Sequence, residues 1–384
     1  MPTQTKSYRQ LRFIFLMATL NLMVGATTAA EGDPSAARHN VILVTIDGLR
    51  WQDVFRGADE RLLSHPDGGV KETEATREAY WRDTATQRRA TLMPFLWREV
   101  AIKGQLFGNR DRNSKARVLN DQHFSYPGYS EILCGYPDPR ITSNDKIFNP
   151  NITVLEWLAR RPGIGPNVAA FCSWDVFPYI INIQRSGLPV NAGWTPIDIA
   201  HDASELAAYN RLMTQLPRMW SSVRYDAFTA FAAKEYLRAK QPRLLYMSLG
   251  EPDDWAHAQR YDLYLDSILT CDRIIEDLWQ FAQSLPQYRD NTSLIITVDH
   301  GRGDVADQWT SHKISIPGSD QIWIAALGPN IPASGERTDV EVTQSQVAAT
   351  VAHLLGEDYA AAVPEAGRPL PLAVDVHEPA TSAR

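Results

Sequence analysis

Seven side chains that could bind cations or attack an electrophile stand in four short strings of this 384-residue chain. They are Asp47 in VILVTIDG, Ser125 in FSYPGYSEILCG, Asp253 and His257 in EPDDWAH, and Asp299 and His300 in TVDHG, which His312 follows in WTSHK. Each string falls where a strand should end. Carboxylates and imidazoles at the C-terminal ends of apolar strands are what a hydrolytic two-metal centre requires, because two neighbouring cations must be held by rigid elements. The pattern predicts an enzyme.

Spacing refines the set. Asp47 follows six apolar or β-branched residues and precedes Gly48, so its side chain should emerge at the strand's end; the alternative is a cap on the next helix. Asp253 and His257 lie four apart, so on one helical turn they share a face and can bind one cation. Asp254 is three from His257 and is read as supporting that pair or facing solvent. Asp299 and His300 are adjacent, and adjacent residues on a strand point opposite ways, but at a strand end the chain turns and both can face one ion. His353, in the apolar run VAATVAHLLG, reads as a packed or surface histidine, and His201 is the remaining histidine to weigh.

To position these groups the chain must alternate strands and helices. Strands are expected over Val41–Ile46, Asn167–Cys172, Arg243–Leu249, Ser293–Val298 and Gln321–Leu327. Helices are expected over Ile152–Arg161, Asp226–Lys240, Tyr261–Ser284 and Thr343–Leu355, where apolar residues recur every three to four positions. Repeated strand-then-helix order with β-branched strands predicts an α/β fold, a mostly parallel central sheet with helices on both faces. Arg56–Arg89 is charged and poorly periodic. A second irregular stretch, about residues 173–225, carries Trp174, Pro178, Trp194, Pro196 and Trp220 and reads as a small cap-like insertion over the cleft, or as ordinary surface packing. The tail after Pro364 reads as loosely ordered.

Composition excludes some classes. A hydrophobic content of 44% supports a sizeable core, and residues 31–384 read as one large domain. Eleven Trp and fourteen Tyr suggest an aromatic-lined cleft, although aromatic core and surface would use them equally well. A net charge of −7 without a basic stripe argues against bulk nucleic-acid binding. Lys6, Arg9 and Arg12, then FIFLMATLNLMVGA, then Thr28 and Ala30 before Glu31 read as a secretory signal over residues 1–30, which predicts a periplasmic or secreted protein; an uncleaved anchor is the rival reading. No later stretch is apolar for long enough to span a membrane, so the mature chain is expected to have no such span. Cys134, Cys172 and Cys271 allow at most one internal disulfide and match no zinc cluster.

The order Asp, Ser, Asp-x-x-x-His, Asp-His, His resembles the alkaline phosphatase superfamily, and FSYPGYSEILCGYP resembles the nucleophile segment of its type I phosphodiesterase/nucleotide pyrophosphatase branch. The resemblance runs from about Val41 to Gly356, where TQSQVAATVAHLLG is similar to the closing helix. It implies an alkaline phosphatase-like fold, Ser125 as nucleophile rather than Ser130, and two divalent ions: one on Asp253, His257 and His312, the other on Asp47, Asp299, His300 and Ser125. Oxygen and nitrogen donors together suit zinc, with manganese as the alternative. A small-molecule phosphate ester would be hydrolysed through a phosphoseryl intermediate. Asn144 corresponds to a phosphate-binding asparagine, two residues closer than usual, and a turn asparagine would look the same. The short separation of His300 from His312 departs from the phosphodiesterases and is closer to the phosphoglycerate mutase and phosphopentomutase branch. A Lys-x-Arg pair of some monoesterases has no counterpart after Asn144, which leans towards diesters. Phosphomonoesterase, phosphotransferase, mutase-like or sulfatase-like activity is the alternative; for a sulfatase, Cys134 lacks the proline expected two residues on.

Overall fold

A computed structural model describes residues 39–198 and 203–372. Among these, eight strands form one sheet in the order β10-β2-β9-β7-β1-β6-β4-β5. They are β1 (Asn40–Ile46), β2 (Gln105–Phe107), β4 (Val168–Cys172), β5 (Val190–Ala192), β6 (Leu244–Leu249), β7 (Thr292–Thr297), β9 (Ile324–Leu327) and β10 (Gly335–Glu336). The five strands β7, β1, β6, β4 and β5 are parallel. A second sheet of three strands has the order β11-β3-β8, from β3 (Ser114–Arg117), β8 (Gln321–Ile322) and β11 (Val340–Thr343). Every residue of β1, β6 and β7 is buried, the pattern of strands covered by helices on both faces.

Parallel register is what builds the site. In β7-β1-β6, Thr45 stands opposite Thr297 on one side and Ser248 on the other, so all three strands finish at the same edge. Asp47, Gly250 and Asp299 are therefore each within two residues of a strand end at one place. Ligands collect outside the carboxyl ends of such strands, where the connections leave in opposite directions.

Two helices match their expected bounds, Asp226–Lys240 and Tyr261–Ser284. Other expectations need correction. Gln321–Leu327 is not one parallel strand: Trp323 turns its indole inward to donate to the Leu49 carbonyl at 3.2 Å, which divides the run between the two sheets, and β9 lies antiparallel to β7. The helix expected from Thr343 starts at Gln346, because Thr343 belongs to β11. Within 56–89 the chain forms helices Glu60–Ser64, Thr73–Tyr80 and Ala85–Leu92, anchored by Arg88 and Arg89 over the rings of Trp81 and Trp97 at 4.4 and 3.5 Å. The tail is held as far as Leu372: Leu370 and Leu372 are buried, Leu370 N–H donates to Thr350, and Gln105 donates to the Leu372 carbonyl. All three cysteines are buried and free, so no disulfide forms. Among the described residues no helix is long and apolar enough to cross a membrane.

The helix Ser125–Cys134 crosses the ends of these strands with Gly128 against Asp299. A Cβ at Gly128 would lie 2.3 Å from the Asp299 carbonyl, closer than any real contact. Gly128→Ala is therefore expected to force helix and strand apart at a cost of about 1–3 kcal/mol, read as a lowered melting temperature. An unchanged melting temperature would show that the two backbones do not approach so closely.

Candidate metal centre and active site

The six predicted carboxylate and imidazole ligands converge at this edge, and Ser125 opens onto the same space. Asp47 leaves the end of β1 with its side chain pointing into the cluster. It caps nothing: the next helix, Trp51–Arg56, has Arg50 at its N-cap without a side-chain bond. Gly48, at φ +58°, turns the chain so tightly that a Cβ there would meet Asp253 at 2.6 Å. The Gly48 amide donates to Asp299 Oδ1 at 3.0 Å, and Tyr129 donates its hydroxyl to Asp47 Oδ2 at 2.9 Å. Each carboxylate thus has one oxygen fixed and the other, Asp47 Oδ1 or Asp299 Oδ2, buried without a partner.

Those two oxygens face His300. Its Nδ1 lies 3.0 Å from the Gly301 carbonyl, which can only accept, so the proton sits there and the Nε2 lone pair points inward. Nε2 lies 3.4 Å from Asp47 Oδ1 and 3.3 Å from Asp299 Oδ2, within ion-pair range but with no hydrogen bond to either. Three buried acceptor atoms converge with nothing between them to accept. A cation resolves that arrangement, and the donor chemistry fits one. Burial raises the Asp47 and Asp299 carboxyl pKa values well above the usual range, and neighbouring carboxylates add to it.

The second cluster is built on the helix Glu251–His257. Its start is fixed by an exchange of carboxylates between two helix N-termini: Asp226 accepts from the Gly250 and Glu251 amides at 2.8 and 3.1 Å, while Glu251 accepts from the Asp226 amide at 2.7 Å. Burial raises both acids, Glu251 to about 7 with Asp226 contributing. From this base Asp253 and His257 share a face, with Asp253 Oδ2 3.2 Å from His257 Nε2. His312 joins them, its Nε2 3.0 Å from His257 Nε2 and its ring stacked on His300 at 4.0 Å. His312 Nδ1 donates to the His123 carbonyl at 3.1 Å, which leaves Nε2 directed at the cluster. Burial, with His300 beside it, lowers the His312 pKa to about 2, so the ring is neutral and able to ligate.

Ser125 is the first residue of its helix. It lines a cavity of about 210 Å³ together with Asp47, Asn144, Asp253, His257 and His312. Asn144 Oδ1 accepts the Tyr126 amide at 2.9 Å, so this residue both caps the helix and faces the cavity. Ser130 points elsewhere, buried and accepting from Asn149 at 3.1 Å. Cys134 lies beside it, with its thiol pushed up to about 12 by burial. Trp174, Ser222 and Val223 form the facing wall, and an isolated antiparallel bridge joins Trp174 to Val223. Among the described Trp, Tyr and Phe residues only Trp174 lines this cavity. Asp254, expected to be supporting or solvent-facing, is in its wall, raised to about 8 by burial and by Asp253. His353 is exposed on the helix Gln346–Leu354, and His201 lies outside the described residues.

Sequence reasoning passed over three residues that hold the ligands. Tyr129 stands four after Ser125, a helical spacing that could have placed it over Asp47. Gln344 donates to the Val298 and Asp299 carbonyls at 2.9 and 2.7 Å and leaves no sequence signal. Arg302, two after His300, is fully buried; it donates to Asp253 and to the carbonyls of Gly48 and Thr310.

The fold has relatives among solved structures. A phosphonate monoester hydrolase from Silicibacter pomeroyi is 14% identical, with a TM-score of 0.52 over 86% of this chain and 76% of that one. A lipoteichoic acid synthase from Listeria monocytogenes is 11% identical, with a TM-score of 0.51 over 84% and 73%. A 2-O glycosaminoglycan sulfatase is 12% identical, with a TM-score of 0.52 over 87% and 73%. At such identities they show a shared α/β fold. No curated protein matches the chain. The model of the type I phosphodiesterase/nucleotide pyrophosphatase family matches residues 166–366, just over half of the chain, including the three strings that carry His257, His300 and His312. The chain belongs to that family, whose members hydrolyse phosphate and related esters.

Proposed function

We propose that this chain is an exported phosphodiester hydrolase that uses two divalent metal ions and a phosphoseryl intermediate on Ser125. One observation carries the reading: Asp47 Oδ1, Asp299 Oδ2 and His300 Nε2 are buried, unpartnered and directed at one another beside the cavity that Ser125 lines. Asp47, Asp299, His300 and Ser125 would hold one ion, and Asp253, His257 and His312 the other, with zinc favoured by the mixed donors and manganese the alternative. Such ions supply Lewis-acid polarisation of the phosphoryl group and ease loss of the serine proton.

The chain supplies position. Ser125, at a helix N-terminus, presents its oxygen on the cavity floor, where a bond from Oγ to phosphorus would form as the bond to the leaving alcohol breaks; water then reverses the serine bond. Asn144 spends its carbonyl oxygen on Tyr126, so its amide NH₂ remains to donate to a phosphate oxygen. Among the described residues lining the cavity there is no Lys or Arg, and Lys146 nearby is paired with Asp175 at 2.8 Å. A wall without cations favours the single charge of a diester over the double charge of a monoester. Segment 173–225 acts as the cap, through Trp174, Ser222 and Val223. Export rests on the basic and then apolar stretch before Glu31.

Metal binding should appear as stability, because an ion that binds only the folded chain adds about 2.7 kcal/mol at a hundredfold excess over its Kd. Chelator-treated protein should melt lower, lose activity, and recover both when zinc or manganese is returned. A melting temperature indifferent to metal would contradict the centre.

Ser125→Ala should lower kcat by several powers of ten with the fold and most of the metal retained. Ser130→Ala should cost about 1 kcal/mol of stability, one hydrogen bond, and little activity. Trapping with a slow ester should place phosphate on the Ser125 peptide, and phosphate on Ser130 or full turnover by Ser125→Ala would refute the assignment. In a panel of aryl diesters, monoesters and sulfates the diesters should turn over fastest; a monoester or sulfate preference would replace the substrate reading.

A further inference from the structure

The two ligand clusters are unequally prepared for a cation. In the first, Asp47 Oδ1, Asp299 Oδ2 and His300 Nε2 have no partner. In the second every ligand is engaged. Asp253 Oδ1 takes an ion pair from Arg302, and Asp253 Oδ2 faces His257 Nε2 at 3.2 Å. His257 Nε2 also meets His312 Nε2 at 3.0 Å, and since His312 carries its proton on Nδ1, facing the His123 carbonyl, His257 is the donor. A guanidinium and an imidazole N–H already satisfy the second cluster.

Arg302 cannot move aside. Its side chain is wholly buried, with Nε donating to the Gly48 carbonyl at 3.1 Å, one terminal nitrogen to the Thr310 carbonyl at 2.6 Å, and the other to the Asp253 carbonyl at 3.2 Å as well as to its carboxylate. Nor does a guanidinium relieve repulsion by losing a proton. A metal ion entering at Asp253 therefore meets a fixed positive charge across one ligand, in a partly buried setting where charges act more strongly than in water.

Building on the two-metal reading, we propose that Arg302 is a built-in counter-ion to Asp253 that makes Asp253–His257–His312 the weaker metal position. The centre fills in order, Asp47–Asp299–His300 first. Arg302 is a positioning residue in this role, since it acts through Asp253. Half-loaded protein is then the state at limiting metal, and turnover follows the second ion.

The test is equilibrium titration of the purified, chelator-stripped chain with zinc in competition with a chromophoric chelator. Wild type should show two classes of site separated by about tenfold or more. Asp299→Ala should remove the tighter class and His257→Ala the weaker. Arg302→Met should tighten the weaker class by about tenfold and leave the tighter one near its wild-type value, whereas Arg302→Lys, which keeps the charge, should preserve the gap. Absence of any zinc binding would overturn the two-metal reading itself. Two equal classes in wild type, the reverse order of loss in the alanine variants, or a weakening of both classes in Arg302→Met, which a purely structural arginine would give, would overturn the counter-ion role and leave the two-metal reading standing. If Arg302→Met does not fold, Arg302→Gln is read in its place, and the wild-type gap with the order of loss in the two alanine variants decides alone.

Discussion

Three carboxylates are brought together, largely out of water, because three adjacent parallel strands end in register, and the rest of the site answers to that constraint. Asp47, Asp253 and Asp299 leave β1, the helix after β6 and the end of β7 at one edge of the sheet. Burial disfavours the charged form of each, and their proximity worsens it. The protein resolves the conflict differently on the two sides. Asp47 and Asp299 are left with raised pKa values and bare oxygens. Burial acts on Asp253 too, yet Arg302, His257 and His312 hold its pKa well below the ordinary value. On one side the acceptor atoms stand bare, and on the other a guanidinium lies against the carboxylate.

Much of the surrounding chain serves to hold those groups still. Tyr129 and the Gly48 amide each fix one carboxylate oxygen, so that its twin faces the cluster. The Gly301 and His123 carbonyls set the tautomers of His300 and His312, and so choose which ring nitrogen is presented. His123 takes a left-handed backbone, φ 53°, two residues before Ser125; its amide is held by Asn120, and its carbonyl also accepts from Lys313 at 3.1 Å. This strained residue couples the segment that delivers the serine to the loop that delivers His312.

What the sequence disclosed and what it concealed divide along a physical line. Runs such as VILVTI and RLLYMSL announce buried strands because both faces are covered, and the long helix Tyr261–Ser284 announces itself through a sustained apolar stripe. Ligand types at strand ends were readable for the same local reason, and Asp47, Asp253, His257, Asp299, His300 and His312 do converge. Features decided by distant partners were not readable. The apolar run Gln321–Leu327 is split because Trp323 finds Leu49, some 270 residues away in sequence. The proline-rich tail is ordered because Gln105 and Thr350 bind its backbone. The charged stretch 56–89 folds because arginines stack on tryptophans, an interaction hydrophobic periodicity does not register.

Arg302 belongs with the concealed features, and it is the instructive one. Nothing in DHGRG marks it as a partner of Asp253. In the fold, the turn at Gly48 brings the chain so close that no side chain fits there, and that missing side chain leaves the space in which the guanidinium lies against Asp253. A glycine on β1's exit, an arginine after β7 and an aspartate after β6 thus form one unit, although Arg302 lies 254 residues from Gly48 and 49 from Asp253 in sequence. Neither Gly48 nor Arg302 indicates its role from its neighbours in the chain. A substitution at Gly48 should accordingly act on Asp253 through Arg302, disturbing the second cluster more than the strand from which Gly48 emerges.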